Sequence, residues 1–221
     1  MSEPSIPKAH SWLIPESEAQ LLAGIIEHRL ERIRFDGGSA SLEFDSCILA
    51  ASPELGTGNS PMYPNKEEIM RLFVRLVTAE DSARLYSARY TQLDLGRRVR
   101  DIHLLHSLVV FTEAVEVGPQ RLTDSVELPA GLGYDVECIN PSRVAREQLE
   151  QVIRRGCANF VDIGIMISLE EADPVVIRTD GSSWRVLLSH EGNSSVFQEI
   201  AATVPLSDRS ARPLSGRPPS C

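Results

Sequence analysis

In residues 41–52, SLEFDSCILAAS, polar and apolar positions alternate before Asp45-Ser46, and the apolar run CILAA follows it. A period of two is typical of a strand with one buried face, and Asp-Ser is typical of a turn. The pattern therefore predicts a hairpin. Residues 107–118, SLVVFTEAVEVG, have nearly the same pattern and predict a second hairpin.

Further strands are predicted on both sides of these hairpins. RLERIRF (29–35) ends at Asp36-Gly37-Gly38, which is a strong turn signal. LDLGRRVRDIHLLH (93–106) predicts a turn at Gly96 followed by a strand. A third group is predicted near the end of the chain, with strands at 161–169, 173–179 and 183–189. The glycine- and proline-rich segment 52–65 and residues 118–135 are predicted to be loops.

Three stretches predict helices. Ser17 and Gln20 match a capping box that opens the short apolar helix AQLLAGII. Asn65 precedes KEEIMRLFVRLVTA (66–79), where Ile69, Phe73, Leu76 and Val77 recur at helical spacing. Asn140-Pro141 begins a third helix, over 142–155, which Gly156 ends. Its predicted buried face consists of Val144, Ala145, Leu149, Val152 and Ile153.

The hairpin pattern occurs in three segments at similar spacing. Phe44, Phe111 and Ile177 precede the turns, 67 and then 66 residues apart, and Ile48, Val115 and Val186 follow them. An internal duplication would produce this arrangement. Ordinary antiparallel hairpins with one buried face would produce it as well, so both interpretations stay open.

These elements predict an α+β fold in which antiparallel β-meander sheets pack with two main helices, with internal duplication as one interpretation. The predicted organisation is a flexible arm (1–11), an α+β half with two hairpin units (12–135), a helix with a three-strand meander (136–205) and a disordered tail (206–221). The tail is rich in Ser, Arg and Pro and has little to bury.

The leading helix or turn followed by strand, strand, turn and strand resembles small bacterial immunity-type and uncharacterised α+β domains. The segments LLAGIIEHRLERIRF, SLEFDSCILAAS and LGRRVRDIHLLHSLVVFTEAVEVG carry the resemblance, over about half of the 221 residues. It implies an α+β module that binds a protein. It rests on pattern, so it transfers no functional residue.

The charge balance narrows the choice of partners. The chain has 31 acidic residues against 22 Lys and Arg, a net charge of -9. This argues against nucleic acid and against an anionic membrane surface, and it suits a basic protein partner. No apolar run approaches the roughly 18 residues of a membrane span.

The termini and cysteines suggest a compartment. No signal peptide is recognisable at the start of the chain. The cysteines at 47, 138, 157 and 221 form no C-x-x-C pair, so neither a zinc site nor a disulfide framework is predicted, and Cys47 and Cys157 are interpreted as small core residues. We expect a reducing, cytoplasmic location.

DIHLLH (101–106) is the main candidate for acid-base or metal chemistry. On a strand, Asp101 and His103 share one face, and His106 points the other way. A carboxylate beside an imidazole can orient a general base. No third group is evident, so a surface pair on a strand is the competing interpretation. No cofactor or metal motif is present, and EEADP (170–174) is interpreted as a solvated loop.

The sequence thus predicts an acidic protein-binding module without enzymatic activity, with an immunity protein that neutralises a toxin as its specific form. One alternative is an enzyme with a site around Asp101, His103 and His106. Another is a structural accessory subunit. The sequence predicts no cofactor and does not indicate an oligomeric state.

Overall fold

The computed structural model describes residues 10–58, 67–84, 90–111, 136–154, 159–181, 185–190 and 198–211. Eleven strands in this part of the chain form one sheet. They are β1 (His10–Trp12), β2 (Arg29–Phe35), β3 (Ala40–Phe44), β4 (Ile48–Gly58), β5 (Glu67–Val77), β6 (Thr91–Phe111), β7 (Val136–Ile139), β8 (Asn159–Leu169), β9 (Val175–Arg178), β10 (Leu187–Ser189) and β11 (Ala202–Pro205).

The helices are short. Within the described residues they are α1 (Glu16–Gly24), α2 (Ala79–Arg84) and α3 (Arg146–Arg154), with 3-10 turns at Pro141–Arg143 and Leu206–Ala211, and residues 198–200 are helical as well. The predicted fold class is therefore wrong in how it arranges the strands and helices. One large, mostly antiparallel sheet replaces meander sheets packed with two main helices.

The long strand β6 joins the two halves of the sheet. The sheet order is β10-β9-β8-β6-β2-β3-β4-β5, while β7 and β11 also pair with β6, and β1 pairs with β8. Residues 91–98 of β6 pair with β2, and residues 99–109 pair with β8. All of these pairings are antiparallel except that of β1 with β8. The predicted segments 12–135 and 136–205 thus share one sheet.

The predicted helix at 66–79 is wrong, because residues 67–77 form β5. This strand pairs with β4 along its whole length, from Glu67 opposite Gly58 to Val77 opposite Ile48. Ile69 and Met70, which point to opposite faces, are both fully buried. A strand that is buried on both faces has a nearly continuous apolar run, and here that run also matched helical spacing.

The predicted loop at 52–65 is wrong over its first residues, since β4 continues to Gly58. The first strand of the predicted second hairpin is confirmed over residues 107–111. β6 runs without a turn from Thr91 to Phe111, and residues 112–118 lie outside the described part. Gly96, with φ +59°, is an extra residue in β6 opposite the Leu30–Arg32 step of β2, a bulge rather than a turn. The duplication stays an interpretation, because the second turn that it needs follows Phe111, outside the described residues.

Several predicted elements are confirmed. β2, β3 and the turn at Asp45-Ser46 lie where expected, and β8, β9 and β10 form consecutive neighbours in the sheet. Asn140 accepts a hydrogen bond from the Ser142 amide at 2.9 Å, but it caps the 3-10 turn, and α3 starts only at Arg146. The predicted capping box is wrong, because Pro15 precedes α1 without a side-chain cap.

The main core lies inside a curl of the sheet. Apolar side chains of α1 and of β2, β3, β4, β5, β6, β8 and β9 form one cluster. Two hydrogen bonds join β5 to the residues that follow β9 and close the curl. The Met70 amide donates to the Gly181 carbonyl at 2.9 Å, and the Thr179 hydroxyl donates to the Met70 carbonyl at 3.0 Å. Two smaller clusters lie around β6 and β8.

The predicted disordered tail begins too early. Leu206 is buried in the main core, and the Arg209 guanidinium forms an ion pair with Glu16 of α1. These contacts order residues 206–211, whereas residues 212–221 lie outside the described part. Likewise, the predicted arm at 1–11 ends in β1, of which His10 and Ser11 pair with β8.

Candidate functional site

The structure brings two of the three predicted site residues together. Asp101 and His103 lie on the same face of β6, with Asp101 Oδ2 3.6 Å from His103 Nε2. The Asp101 side chain is 48% exposed and that of His103 is 22% exposed. The separation exceeds a good hydrogen bond, so this pair is loosely coupled. The other Asp101 oxygen accepts a hydrogen bond from the Ile102 amide at 2.7 Å.

The third predicted residue, His106, is paired with a residue that the sequence did not indicate. His106 Nδ1 lies 3.0 Å from Asp162 Oδ1, and neither side chain is exposed to solvent. Asp162 Oδ2 accepts a hydrogen bond from the Ile14 amide at 2.8 Å. The His106 ring stacks on Phe160, with ring centroids 5.6 Å apart and an interplanar angle of 4°.

A bulge in β8 brings Asp162 opposite His106. Leu105 pairs with Gly164 but His106 pairs with Asp162, so Ile163 is an extra residue in β8. The extra residue reverses the alternation of faces, which turns Asp162 toward His106. Gly164 is needed beside the bulge, because a Cβ atom there would lie 2.5 Å from the Ile177 carbonyl oxygen of β9.

The buried pair has the carboxylate and the imidazole of a general base, but a substrate has no access to it. With an ionised Asp162 as acceptor, Nδ1 is the donor and Nε2 is the basic nitrogen. Nε2 has no hydrogen-bond partner among the described residues. Along β6 the pair lies between Leu104 of the main core and Leu108 of a smaller core. A substrate would have to displace core side chains to reach it, so the pair is structural in this conformation.

A signal for Asp162 was present in the sequence. It stands between Val161 and Ile163 in an apolar strand, and a carboxylate buried there needs a partner. His106 similarly stands in the apolar run LLHSLVV. Their pairing depends on a strand register that includes a bulge, and the sequence pattern does not specify this register.

A second buried charged cluster fastens α1 to the edge of the sheet. Arg71 of β5 binds Glu18 of α1 through two hydrogen bonds, of 2.7 and 2.9 Å, and both side chains are buried. Arg71 also forms an ion pair with Glu54 and lies over the rings of Trp12 and Phe73. We call the pair of Arg71 and Glu18 the edge clasp.

The edge clasp also satisfies backbone groups of β5, which ends the sheet order. Glu18 accepts a hydrogen bond from the Val74 amide at 3.0 Å, and Arg71 donates to the Leu72 carbonyl at 3.3 Å. Unpaired edge groups are templates for association with another chain. The cluster therefore has a structural explanation that needs no ligand.

Cys138 of β7 carries a buried thiol, which is a potential nucleophile. Burial is the main cause that raises the pKa of its thiol to about 12, and a hydrogen bond with Ser107 opposes the rise. The thiol donates to the Asp180 carbonyl at 3.2 Å. A protonated, buried thiol is inert as a nucleophile. Cys47, predicted as a core residue, is half-buried against the main core, and Cys157 lies outside the described residues.

Within the described ranges, no group of three His, Cys, Asp or Glu side chains could hold a metal ion. The EEADP turn contains Glu170, which pairs with Arg100, and the exposed Glu171 and Asp173.

The charge of the described residues is strongly unbalanced. They contain 24 acidic residues and 15 Lys and Arg, so they account for the whole net charge of -9. Residues 10–58 have 8 acidic and 3 basic side chains, and residues 159–181 have 5 and 1. The acidic excess therefore belongs to the part of the chain that the structure describes.

A surface groove opens at the end of the β2–β6 ladder, between residues 35–37 and residues 90–91. It has a volume of about 280 Å³ and is lined by Phe35, Asp36, Gly37, Tyr90 and Thr91. Tyr90 is 51% exposed, one of three large apolar or aromatic side chains found exposed among the described residues. The groove combines aromatic surface with one carboxylate.

Comparison of the chain with protein-family models, with curated proteins and with solved structures gives no match. In the portion that the structure describes, no helix has the length and apolar character needed to cross a membrane.

Proposed function

We propose that this protein is an acidic protein-binding module whose partner has a basic surface. The observation that carries the proposal is the acidic excess of the described residues, 24 acidic against 15 basic. Such a field accelerates the encounter with a basic protein and repels nucleic acid and anionic membranes. An immunity protein that neutralises a basic toxin is the specific form that we favour.

The candidate catalytic residues support a binding function over an enzymatic one. Asp101 and His103 are loosely coupled, and His106 points away from them into the core. A general base needs to be within hydrogen-bond reach of its substrate. His106 would reach one only after the core had opened, and this weakens the enzyme alternative.

The two described cysteines, Cys47 and Cys138, are both free thiols. Free thiols suit a reducing compartment, so we place the function in the cytoplasm.

The proposal is tested by capture on the immobilised, folded chain. The captured proteins should be basic, and capture should fall between 0.1 M and 1 M salt, as the Debye length shortens from about 10 Å to about 3 Å. The loss should appear mainly as slower association. Capture that resists salt, or that selects acidic proteins, would refute the proposal.

His103→Ala is the matched test of the enzyme alternative, because His103 is half-buried and its removal leaves the core intact. Capture by this variant should equal that of the unaltered chain. Loss of an in vivo activity with capture intact would instead favour an enzyme.

A further inference from the structure

The short strand β1 covers an edge of β8 that no other described strand reaches. It pairs in parallel with residues 159–161 of β8, while β9 pairs only with residues 164–167 on that side. The other edge of the same three residues pairs with β6. Within the described residues, loss of β1 would therefore leave this edge without a strand partner, and such an edge is a template for another strand.

A place for one aromatic side chain lies beside this edge. The Trp12 ring packs directly on Gly56 of β4, where a Cβ atom would lie 2.7 Å from the ring. The Cζ atom of Arg71 lies 5.3 Å from the ring centroid, and the indole N–H donates to the Glu54 carbonyl at 3.4 Å. We call the edge of residues 159–161 together with Glu54, Gly56 and Arg71 the β1 seat.

β1 is held less firmly than the residues that follow it. Ile14 is buried in the main core, and its amide is bound by Asp162. Trp12 is only partly buried, and its hydrogen bond is longer than the roughly 2.7–3.2 Å that is usual. Parallel pairing is also slightly less stable per residue than antiparallel pairing. Because local opening begins at the least stable elements, we expect β1 to leave its seat while Ile14 stays anchored.

The segment that fills the seat has the charge character of the partner proposed above. Residues 4–15, PSIPKAHSWLIP, contain a lysine and no Asp or Glu, in a chain whose acidic residues outnumber its basic ones by nine. Beside Trp12, the carboxylates of Glu18 and Glu54 outnumber the one guanidinium of Arg71, to which both are bound. These carboxylates are already paired, so the acidic excess acts as a field and not through direct ligands. Such a field favours an occupant without carboxylates.

We propose that the β1 seat binds an extended segment of the basic partner, which displaces β1 and brings an aromatic side chain to the place of Trp12. Strand addition of this kind gains affinity from main-chain hydrogen bonds and specificity from pockets for alternate side chains. β1 is then an internal competitor that covers the edge of β8 until the partner binds. This inference rests on the proposed function.

A second copy of the chain would offer the same segment, since its own β1 fits the seat. Two chains that each carry a net charge of -9 repel each other, however, whereas a basic partner is attracted. The basic partner is therefore the occupant that the charge favours.

The test uses the full-length chain and the peptide acetyl-KAHSWL-amide, which reproduces residues 8–13. Calorimetry measures its affinity for the unaltered chain and for Trp12→Ala. The variant should bind at least about tenfold more tightly, because its own β1 has lost the aromatic anchor and competes less. A peptide with alanine at the tryptophan position should bind neither chain. Equal binding of the two peptides would overturn the aromatic part of the seat.

Gly56→Ala is the decisive variant, because its Cβ atom would occupy the place of the aromatic ring. Introduced into Trp12→Ala, where no indole is present to clash, it should abolish peptide binding and leave the chain folded. Gly24→Ala in the same background is the matched control, since a Cβ atom at Gly24 would have nothing within 4 Å. It should leave the affinity unchanged. Equal affinities of the two double variants would overturn the seat.

Hydrogen exchange locates the bound peptide in the full-length Trp12→Ala chain. The peptide should slow exchange at residues 159–161 of β8, where it replaces the main chain of β1. Protection that is confined to other strands would overturn the assignment of this edge.

Capture of basic proteins separates the seat from the function. Trp12→Ala should capture them more strongly than the unaltered chain, and the added Gly56→Ala should remove this gain. If all three chains capture basic proteins equally, the seat assignment fails and the proposed function stands. If the peptide binds but no basic protein is captured, the proposed function fails and the seat remains a strand-binding site. Dimers of the unaltered chain that Trp12→Ala abolishes would overturn the proposed occupant in favour of β1 of a second copy.

Discussion

His106 and Asp162 form a pair that is completely buried, with Nδ1 and Oδ1 3.0 Å apart. The same carboxylate holds the Ile14 amide, which ties the segment between β1 and α1 to the centre of the sheet. Removing one member of such a pair would leave the other buried without its partner, and this destabilises the fold. The pair of His106 and Asp162 therefore stabilises the fold. A reaction at His106 would require this pair to open, which would destabilise the protein.

Asp162→Asn should destabilise the protein by about 1.5–3 kcal/mol, the usual contribution of hydrogen bonds to a charged group. The amide removes the negative charge that both donors share and adds an N–H₂ group that needs acceptors of its own. The free energy of unfolding in urea measures the effect. Asp101→Asn, at an exposed position on β6, should change it by no more than about 0.5 kcal/mol. Similar losses in both variants would show that the pair has no special role.

The buried pair of His106 and Asp162 determines which histidine variant can test for catalysis. Loss of activity in His106→Ala would reflect unfolding, because Asp162 would be left buried without its imidazole partner. His103→Ala removes the other candidate base without that cost, and so it separates chemistry from stability.

The edge clasp should be intolerant of a conservative change. Arg71→Lys keeps the charge but cannot make both hydrogen bonds to Glu18, so we expect a loss of about 1.5–3 kcal/mol in unfolding free energy. Arg84→Lys is the control, because Arg84 forms an exposed pair with Glu80 of the same helix. It should lose less than about 0.5 kcal/mol. Equal losses in the two variants would show that the edge clasp stabilises the protein no more than an exposed ion pair does.

The strands at 29–35, 40–44 and 159–169 could be predicted from the sequence, since their patterns have few competing interpretations. β5 could not, because Ile69, Phe73, Leu76 and Val77 fit a helix while Met70, Leu72, Val74 and Leu76 fit one face of a strand. Only the partner strand β4 decides between these patterns. Propensity is weak where tertiary pairing is strong.

The candidate sites illustrate the same limit. The contact of Asp101 with His103 is local to one strand, and alternation alone predicts that they share a face. The pairing of His106 with Asp162 spans 56 residues and depends on the extra residue in β8. The groove needs the end of β2 to meet the start of β6, at Phe35 and Thr91. Sequence patterns seldom specify such register.

The segment after β11 should contribute to folding, contrary to the sequence-based expectation. Leu206→Ala should cost about 2–5 kcal/mol, the usual range for a large aliphatic side chain buried in a core. The exposed Ser207→Ala is its neighbouring control and should be nearly neutral. A chain that ends at residue 205 should be less stable than Leu206→Ala, since it also loses the pair of Arg209 with Glu16. Unchanged thermal unfolding of that chain would show that Leu206 contributes nothing.

Cys138 should differ from Cys47 in reactivity and in its effect on stability at high pH. The thiol of Cys138 is buried and its pKa is raised from 9.0 to about 12, so at pH 8 iodoacetamide should label Cys47 well before Cys138. Peptide mass spectrometry distinguishes the two sites. Equally fast labelling would contradict the burial of Cys138.

The raised pKa of Cys138 also sets the sign of a pH effect. Between about pH 9 and 12 the unfolded chain releases the proton of this thiol while the folded chain retains it. The folded state then binds more protons, so stability must fall as pH rises, by at most about 1.4 kcal/mol per pH unit from this group. The contribution is fully present below pH 9. Cys138→Ala lacks the group, and its unfolding free energy should fall less steeply across this range than that of the unaltered chain. Parallel pH profiles would show that the thiol ionises equally easily in both states, which a buried sulfur hydrogen-bonded to the Asp180 carbonyl should not do.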